Sequence, residues 1–75
     1  MFDVERFIYD VFAVELTHED YDRSVEEVLK WDSFMIASMM TELFDRYGKQ
    51  VDLEKLFSIR TVRDVVNLIT ETVEN

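Results

Sequence analysis

The chain contains no proline and only one glycine in 75 residues, and that scarcity restricts its architecture more than any other feature. A sheet of short strands needs frequent tight turns, and proline and glycine are their usual punctuation. Helices ask for less, a capping side chain at the start and a single left-handed residue at the end. An all-α fold is therefore expected, and the spacing of the apolar residues supports it.

Val4, Phe7, Ile8, Val11 and Val14 recur at steps of three and four among Asp3, Glu5, Arg6 and Asp10, which predicts an amphipathic helix over residues 3–15. The following L-T-H-E-D-Y-D-R has no period and begins a long connection. Within that connection, Ser24 and Glu27 have capping-box spacing for a short turn containing Val25 and Val28. Ile36, Met39, Met40, Leu43 and Tyr47 then share one side of a helix over residues 33–47, opened by Asp32 and closed by Gly48. Asp52 caps a short turn through Leu53, Leu56 and Phe57, too short to stand without packing on something larger. Thr61 and Asp64 repeat the capping-box spacing ahead of a stripe of Val62, Val65, Val66, Ile69 and Val73. V-R-D-V-V-N-L-I competes as a strand, but nothing around it turns a hairpin. The expectation is one domain over residues 1–75, a four-helix bundle with three main helices, one short helix and a long first connection. A chain this short buries only about 60–65% of its unfolded surface, so every helix is needed for one core.

The absence of cysteine removes a disulfide framework. No run of 18 apolar residues occurs, and M-F-D-V-E-R-F lacks the positive start and apolar block of a signal peptide, so a soluble, cytoplasmic protein is expected, without membrane insertion. Seventeen acids against eight bases give a net charge of −9, which repels nucleic acid and anionic lipid and favours partners with basic docking surfaces. The imbalance is concentrated in residues 1–32, at −7, against −2 for the remainder.

Few residue types for autonomous chemistry are present. A nucleophilic Ser33 would need a base and a group to orient it, and nothing places the only histidine, His18, beside it; His18 reads as an exposed loop residue. Asp20, Asp22, Glu26 and Glu27 offer hard oxygen donors, but the ligand spacing and glycine of an EF-hand are missing, and a solvated acidic surface is expected in place of a metal site. Zinc has no cysteines and one histidine to bind, and no glycine-rich phosphate loop exists. No catalytic residue is assigned.

The stretch K-W-D-S-F-M-I-A-S-M-M, residues 30–40, leaves two readings open for Ser33. It is either a short polar residue tolerated in the first helical turn behind the Asp32 cap, or an attachment point where an added anion meets unsatisfied N–H groups and the positive end of the helix dipole. Met39 and Met40 belong with the core, whereas Met35 lies off the stripe and is expected at the surface. Phe34, Ala37, Ser38, Thr41 and Phe44 form a mildly apolar outer face suited to a partner.

With its downstream context, this stretch resembles the acyl carrier protein family. W-D-S-F at 31–34 is similar to the family's Asp-Ser-Leu type attachment motif, and G-K-Q-V-D-L-E-K-L, Thr61-Val62 and I-R-T-V-R-D-V-V-N-L-I follow in the family's order, so the resemblance runs from about Val4 to Ile69. It implies that 4'-phosphopantetheine is attached to Ser33 by a phosphopantetheinyl transferase, with no acyl chemistry performed by the carrier. Trp31 and Asp32 would support the modification loop, and Phe34 would stand where the family has an exposed leucine. Phe34, Ala37, Ser38, Thr41, Glu42, Phe44 and Asp45 would meet partners: an acyltransferase or acyl-activating enzyme, and a ketosynthase or other acyl-processing enzyme. Lys30 stands where the family usually has glycine, and Ser38 and Thr41 where fatty-acid carriers place carboxylates. These departures favour specialised, polyketide-like metabolism over fatty-acid synthesis, the acidic balance leans towards acyl over peptidyl or aminoacyl cargo, and a freestanding, monomeric carrier is expected. The alternative of another class is a helical adaptor using the same face without an arm.

Overall fold

The computed structural model describes residues 1–75. Its helices are α1 (Val4–Phe12), α2 (Val25–Leu29), α3 (Ser33–Tyr47), α4 (Leu53–Leu56) and α5 (Val62–Glu74), with a 3₁₀ turn at His18–Asp22 between α1 and α2. Three main helices, a short α4 and a long first connection agree with the expected all-α bundle.

The core forms where the apolar stripes of α1, α3 and α5 meet. Phe7 and Ile8 of α1, Met39 and Leu43 of α3, and Val62, Val65 and Ile69 of α5 are almost or fully inaccessible, and Val25 and Leu29 of α2 complete the packing. Burying each such side chain stabilises the fold by about 1.5–3 kcal/mol relative to exposure. That contribution is needed, because helices of nine or five residues are marginal alone. α5 buries Leu68 and Thr72 beyond its expected stripe. The Thr72 hydroxyl donates to the Leu68 carbonyl at 2.7 Å, so this buried polar group is satisfied within its own helix.

Several boundaries differ from the sequence expectation for local reasons. α1 stops at Phe12 because Ala13 turns left-handed (φ 58°), donating its N–H to the Tyr9 carbonyl, so Val14 lies beyond the helix. The aperiodic connection gains its 3₁₀ turn from a capping box between Thr17 and Asp20 that lies inside the polar run. Ser24 does begin α2, yet its hydroxyl caps nothing, and the Glu27 carboxylate that would complete the box pairs with Arg23. Met35 packs partly buried against the core, contrary to its expected exposure. Tyr47, on the apolar line of α3, is more than a third exposed and lies edge-on to Phe2. In α4 only Leu56 packs against the core, while Leu53 and Phe57 remain in solvent.

A contact with no local sequence signal joins α2 to α5. Ser24 and Thr61 form an isolated antiparallel bridge in which the Val25 N–H donates to the Arg60 carbonyl at 3.0 Å and the Val62 N–H to the Arg23 carbonyl at 3.1 Å. These N–H groups belong to the first residues of α2 and α5, which have no intrahelical acceptor, and each finds one in the extended residues ahead of the other helix.

Candidate functional site

The segment before α3 is shaped by three successive residues. Lys30 ends α2 in the left-handed region (φ 52°, ψ 53°), the conformation that a glycine adopts without steric cost. Trp31, half-buried, stacks on Phe12 with ring centroids 6.1 Å apart and 26° between planes, which pins the loop to the core. Asp32 is extended and caps α3, its Oδ1 accepting from the Met35 N–H at 2.8 Å while its carbonyl accepts from the Ile36 N–H at 2.9 Å.

Ser33 is therefore the first residue of a 15-residue helix, with its side chain exposed. The Asp32 cap engages Met35, so the N–H groups of Ser33 and Phe34, which have no intrahelical carbonyl to serve, face the end of the helix dipole where negative charge is favoured. The other serines are placed differently. Ser24 lies in the bridge, Ser38 is half-buried within α3, and the Ser58 hydroxyl donates to the Lys55 carbonyl at 2.9 Å. An exposed primary hydroxyl at a helix start suits a bulky anionic ester, since neither burial nor a prior hydrogen bond must be broken to form it. No hydrogen bond joins His18 to this hydroxyl, and His18 is itself exposed on the 3₁₀ turn.

The outer face of α3 is largely open. Phe34 is 74% exposed, Phe44, Ala37, Thr41 and Asp45 are also exposed, and Ser38 and Glu42 are half-buried. A cleft of about 490 Å³ borders this face, lined by Met40, Thr41, Phe44, Asp45, Gln50, Val51 and Leu53. Leu53 lines this cleft without having been expected there, and Phe57 is 86% exposed. Residues 53, 56 and 57 share one side of a single turn, so spacing alone could not show that only Leu56 turns inward.

Electrostatically, the face is less acidic than its composition implies. Glu42 pairs with Arg46 at 2.8 Å, and Arg46 reaches across to Asp10 at 3.0 Å, which in turn pairs with Arg6. The Arg46 and then the Arg6 hydrogen bonds hold the Asp10 carboxyl below its ordinary range against the opposing effect of desolvation. Asp45 is left as the carboxylate of α3 without an ion pair. In the acidic first connection, Asp20 and Glu27 converge on Arg23, and Asp22 on Arg63, so these carboxylates are directed at arginines. Tyr21 donates to Glu5 at 2.5 Å; burial, then this bond, pushes its phenol up to about 12.

The bundle thus presents an exposed serine at the head of its central helix. A family model described as the phosphopantetheine attachment site matches residues 8–69, and the chain belongs to this family. Domains of this family are where 4'-phosphopantetheine is attached, and they are generally non-catalytic carriers modified by other enzymes. The matched span includes the loop, the whole of α3 and α4, and most of α5.

Proposed function

We propose that residues 1–75 act as one acyl carrier domain whose 4'-phosphopantetheine arm is attached through Ser33. The observation that carries this reading is the exposed Ser33 side chain at the start of α3, inside the family match and ahead of an open helix face. In the loading step the Ser33 oxygen forms a phosphodiester as the pyrophosphate bond of coenzyme A breaks and adenosine 3',5'-bisphosphate departs. The hydroxyl proton leaves to a base of the phosphopantetheinyl transferase. The terminal thiol of the bound arm supplies the thioester that holds an acyl group. The chain's own residues do the positioning: Asp32 fixes the first turn, Trp31 anchors the loop, and Phe34, Ala37, Ser38, Thr41, Phe44 and Asp45 present a surface for docking. Docking raises the effective concentration of a tethered group at its partner.

The pathway we favour is polyketide or related specialised metabolism, in the cytoplasm, with the carrier acting as a monomer. Acyltransferases, acyl-activating enzymes and ketosynthases would be its partners. The pairing of Glu42 with Arg46 supports this choice, because it removes carboxylate charge from a face that fatty-acid carriers are expected to keep acidic. No helix is long and apolar enough to cross a membrane.

Incubation with coenzyme A and a broad-specificity phosphopantetheinyl transferase should add one phosphopantetheine mass to the protein and none to Ser33→Ala. Absence of the addition with several competent transferases, or its persistence in Ser33→Ala, would refute Ser33 as the attachment point. An unmodified Ser33→Ala protein that still binds a partner tightly would favour the armless adaptor.

A further inference from the structure

Lys30 combines three features. It holds a left-handed backbone that favours glycine (φ 52°) at the end of α2. It is the only basic residue between Ser24 and Asp45. Its ammonium forms no ion pair, whereas Arg6, Arg23, Arg46, Lys55 and Arg63 all do. Glu26, four residues back, would be a natural partner on a continuing helix, but the reversed backbone at Lys30 takes it off that face. Lys30 lies three positions before Ser33, so their Cα atoms are within about 11 Å of each other. Lys30 closes α2 left-handed as Ala13 closes α1, but here the capping residue carries a charge and lies in the loop that leads into Ser33.

We propose that Lys30 is a positioning residue for the arm, its ammonium lying against the phosphodiester carried by Ser33. This inference rests on attachment at Ser33. Its chemical basis is that loading places an anion beside a strongly acidic segment, residues 1–32, whose free cation nearest in sequence to the attachment point is Lys30. The ammonium and the first N–H groups of α3 would then hold the phosphate from two sides, limiting the directions in which the arm leaves the surface.

Four variants separate charge from backbone. Lys30→Arg keeps the charge, Lys30→Asn removes it while tolerating the left-handed conformation, Lys30→Gly removes both charge and strain, and Lys49→Gln removes a cation elsewhere. The change in melting temperature between unloaded and loaded protein is measured for each, and the phosphorus-31 resonance of the loaded arm is recorded. At low ionic strength loading should favour wild type and Lys30→Arg over Lys30→Asn and Lys30→Gly by about 2–4 °C, the size expected for one exposed ion pair in a domain of this length. In 1 M NaCl that advantage should vanish. The phosphorus resonance should move in Lys30→Asn and Lys30→Gly and stay in place in Lys30→Arg and Lys49→Gln. Equal loading shifts in wild type and Lys30→Asn, with an unmoved resonance, would overturn the proposal while leaving the carrier reading intact. A protein that accepts no arm at Ser33 would overturn both.

Discussion

The starts of α3 and α5 are built from similar residues and differ in closure. At α5, the Thr61 hydroxyl accepts from the Asp64 N–H at 3.3 Å, while one Asp64 carboxylate oxygen accepts from the Arg60 and Thr61 N–H groups, each at 3.0 Å. The Val62 N–H crosses to Arg23, and the Val62 side chain is fully buried. At α3, Asp32 satisfies Met35 from a single carboxylate oxygen, the next side chain is an exposed hydroxyl, and the one after it is a largely exposed aromatic ring. Both are sound caps. The first N–H of α5 is taken up by Arg23 across the bundle, whereas the first N–H of α3, beside an exposed hydroxyl, is left available to something outside the chain.

The largest expected effect breaks the open start. Ser33→Ala should abolish phosphopantetheine loading, read by intact mass, and leave the denaturant midpoint of the unloaded protein almost unchanged. Alanine propagates a helix at least as well as serine, and no buried group is disturbed. A large loss of stability in this variant would make Ser33 a structural residue and erase the distinction between the two starts.

The next contrast compares buried Val62 with exposed Phe34. Val62→Ala should destabilise by about 2 kcal/mol through lost burial and the small cavity left behind, while loading of the folded fraction continues. Phe34→Ala should change stability by less than about 0.5 kcal/mol. It should nevertheless raise the KM of the transferase for the carrier, because the ring adjoins Ser33, the proposed attachment point. Equilibrium unfolding and loading kinetics on the same preparations check both halves.

The physical range of each signal explains how far the sequence anticipated this arrangement. Caps are local, so Asp32, Asp52, Thr61 with Asp64, and the terminating Gly48 were legible, and with them the limits of α3 and α5. The amphipathic stripes named most of the core, and D-S-F with its downstream pattern named the family. The Ser24–Thr61 bridge was not legible, because it joins residues 37 positions apart with no side-chain code for the pairing. Ala13 and Lys30 turn left-handed without the glycine that normally announces such a turn. The neutralisation of Glu42 by Arg46 follows helical spacing, but the reach of Arg46 to Asp10 depends on how α1 packs against α3. Leu53 and Phe57 shared a face with Leu56, and only the path of the chain into α4 decides which of the three is buried.

Cap removal should have smaller effects that still differ between the two helices. Thr61→Ala and Asp32→Ala should each cost about 1 kcal/mol in urea unfolding, the usual worth of an N-cap side chain. Loading should be unchanged in Thr61→Ala, whose helix start faces the protein, and slower in Asp32→Ala, whose loss frays the turn that holds Ser33. Equal loading rates in the two variants would show that the transferase does not need a preformed first turn.

The smallest effect is a pH dependence confined to the closed start. The backbone N–H groups of Thr61 and then Arg60 hold the Asp64 carboxyl below its ordinary 3.8, outweighing the desolvation that opposes them. A carboxyl whose pKa is lowered by folding contributes stability that is fully present above its unfolded pKa and disappears as pH falls through the folded one. Asp64→Asn should therefore be less stable than wild type at pH 7 by under about 1 kcal/mol, because the bonds of Asp64 lie near the surface and a neutral amide oxygen can still accept from the same donors. Below the ordinary carboxylate range the two proteins should converge, as wild-type Asp64 takes up its proton and gives up the charge that strengthened those bonds. Denaturant midpoints collected from pH 7 down to the acid transition test this directly. A gap that stays constant with pH would assign the contribution of Asp64 to shape and hydrogen-bond count, leaving no role for its charge in closing the start of α5.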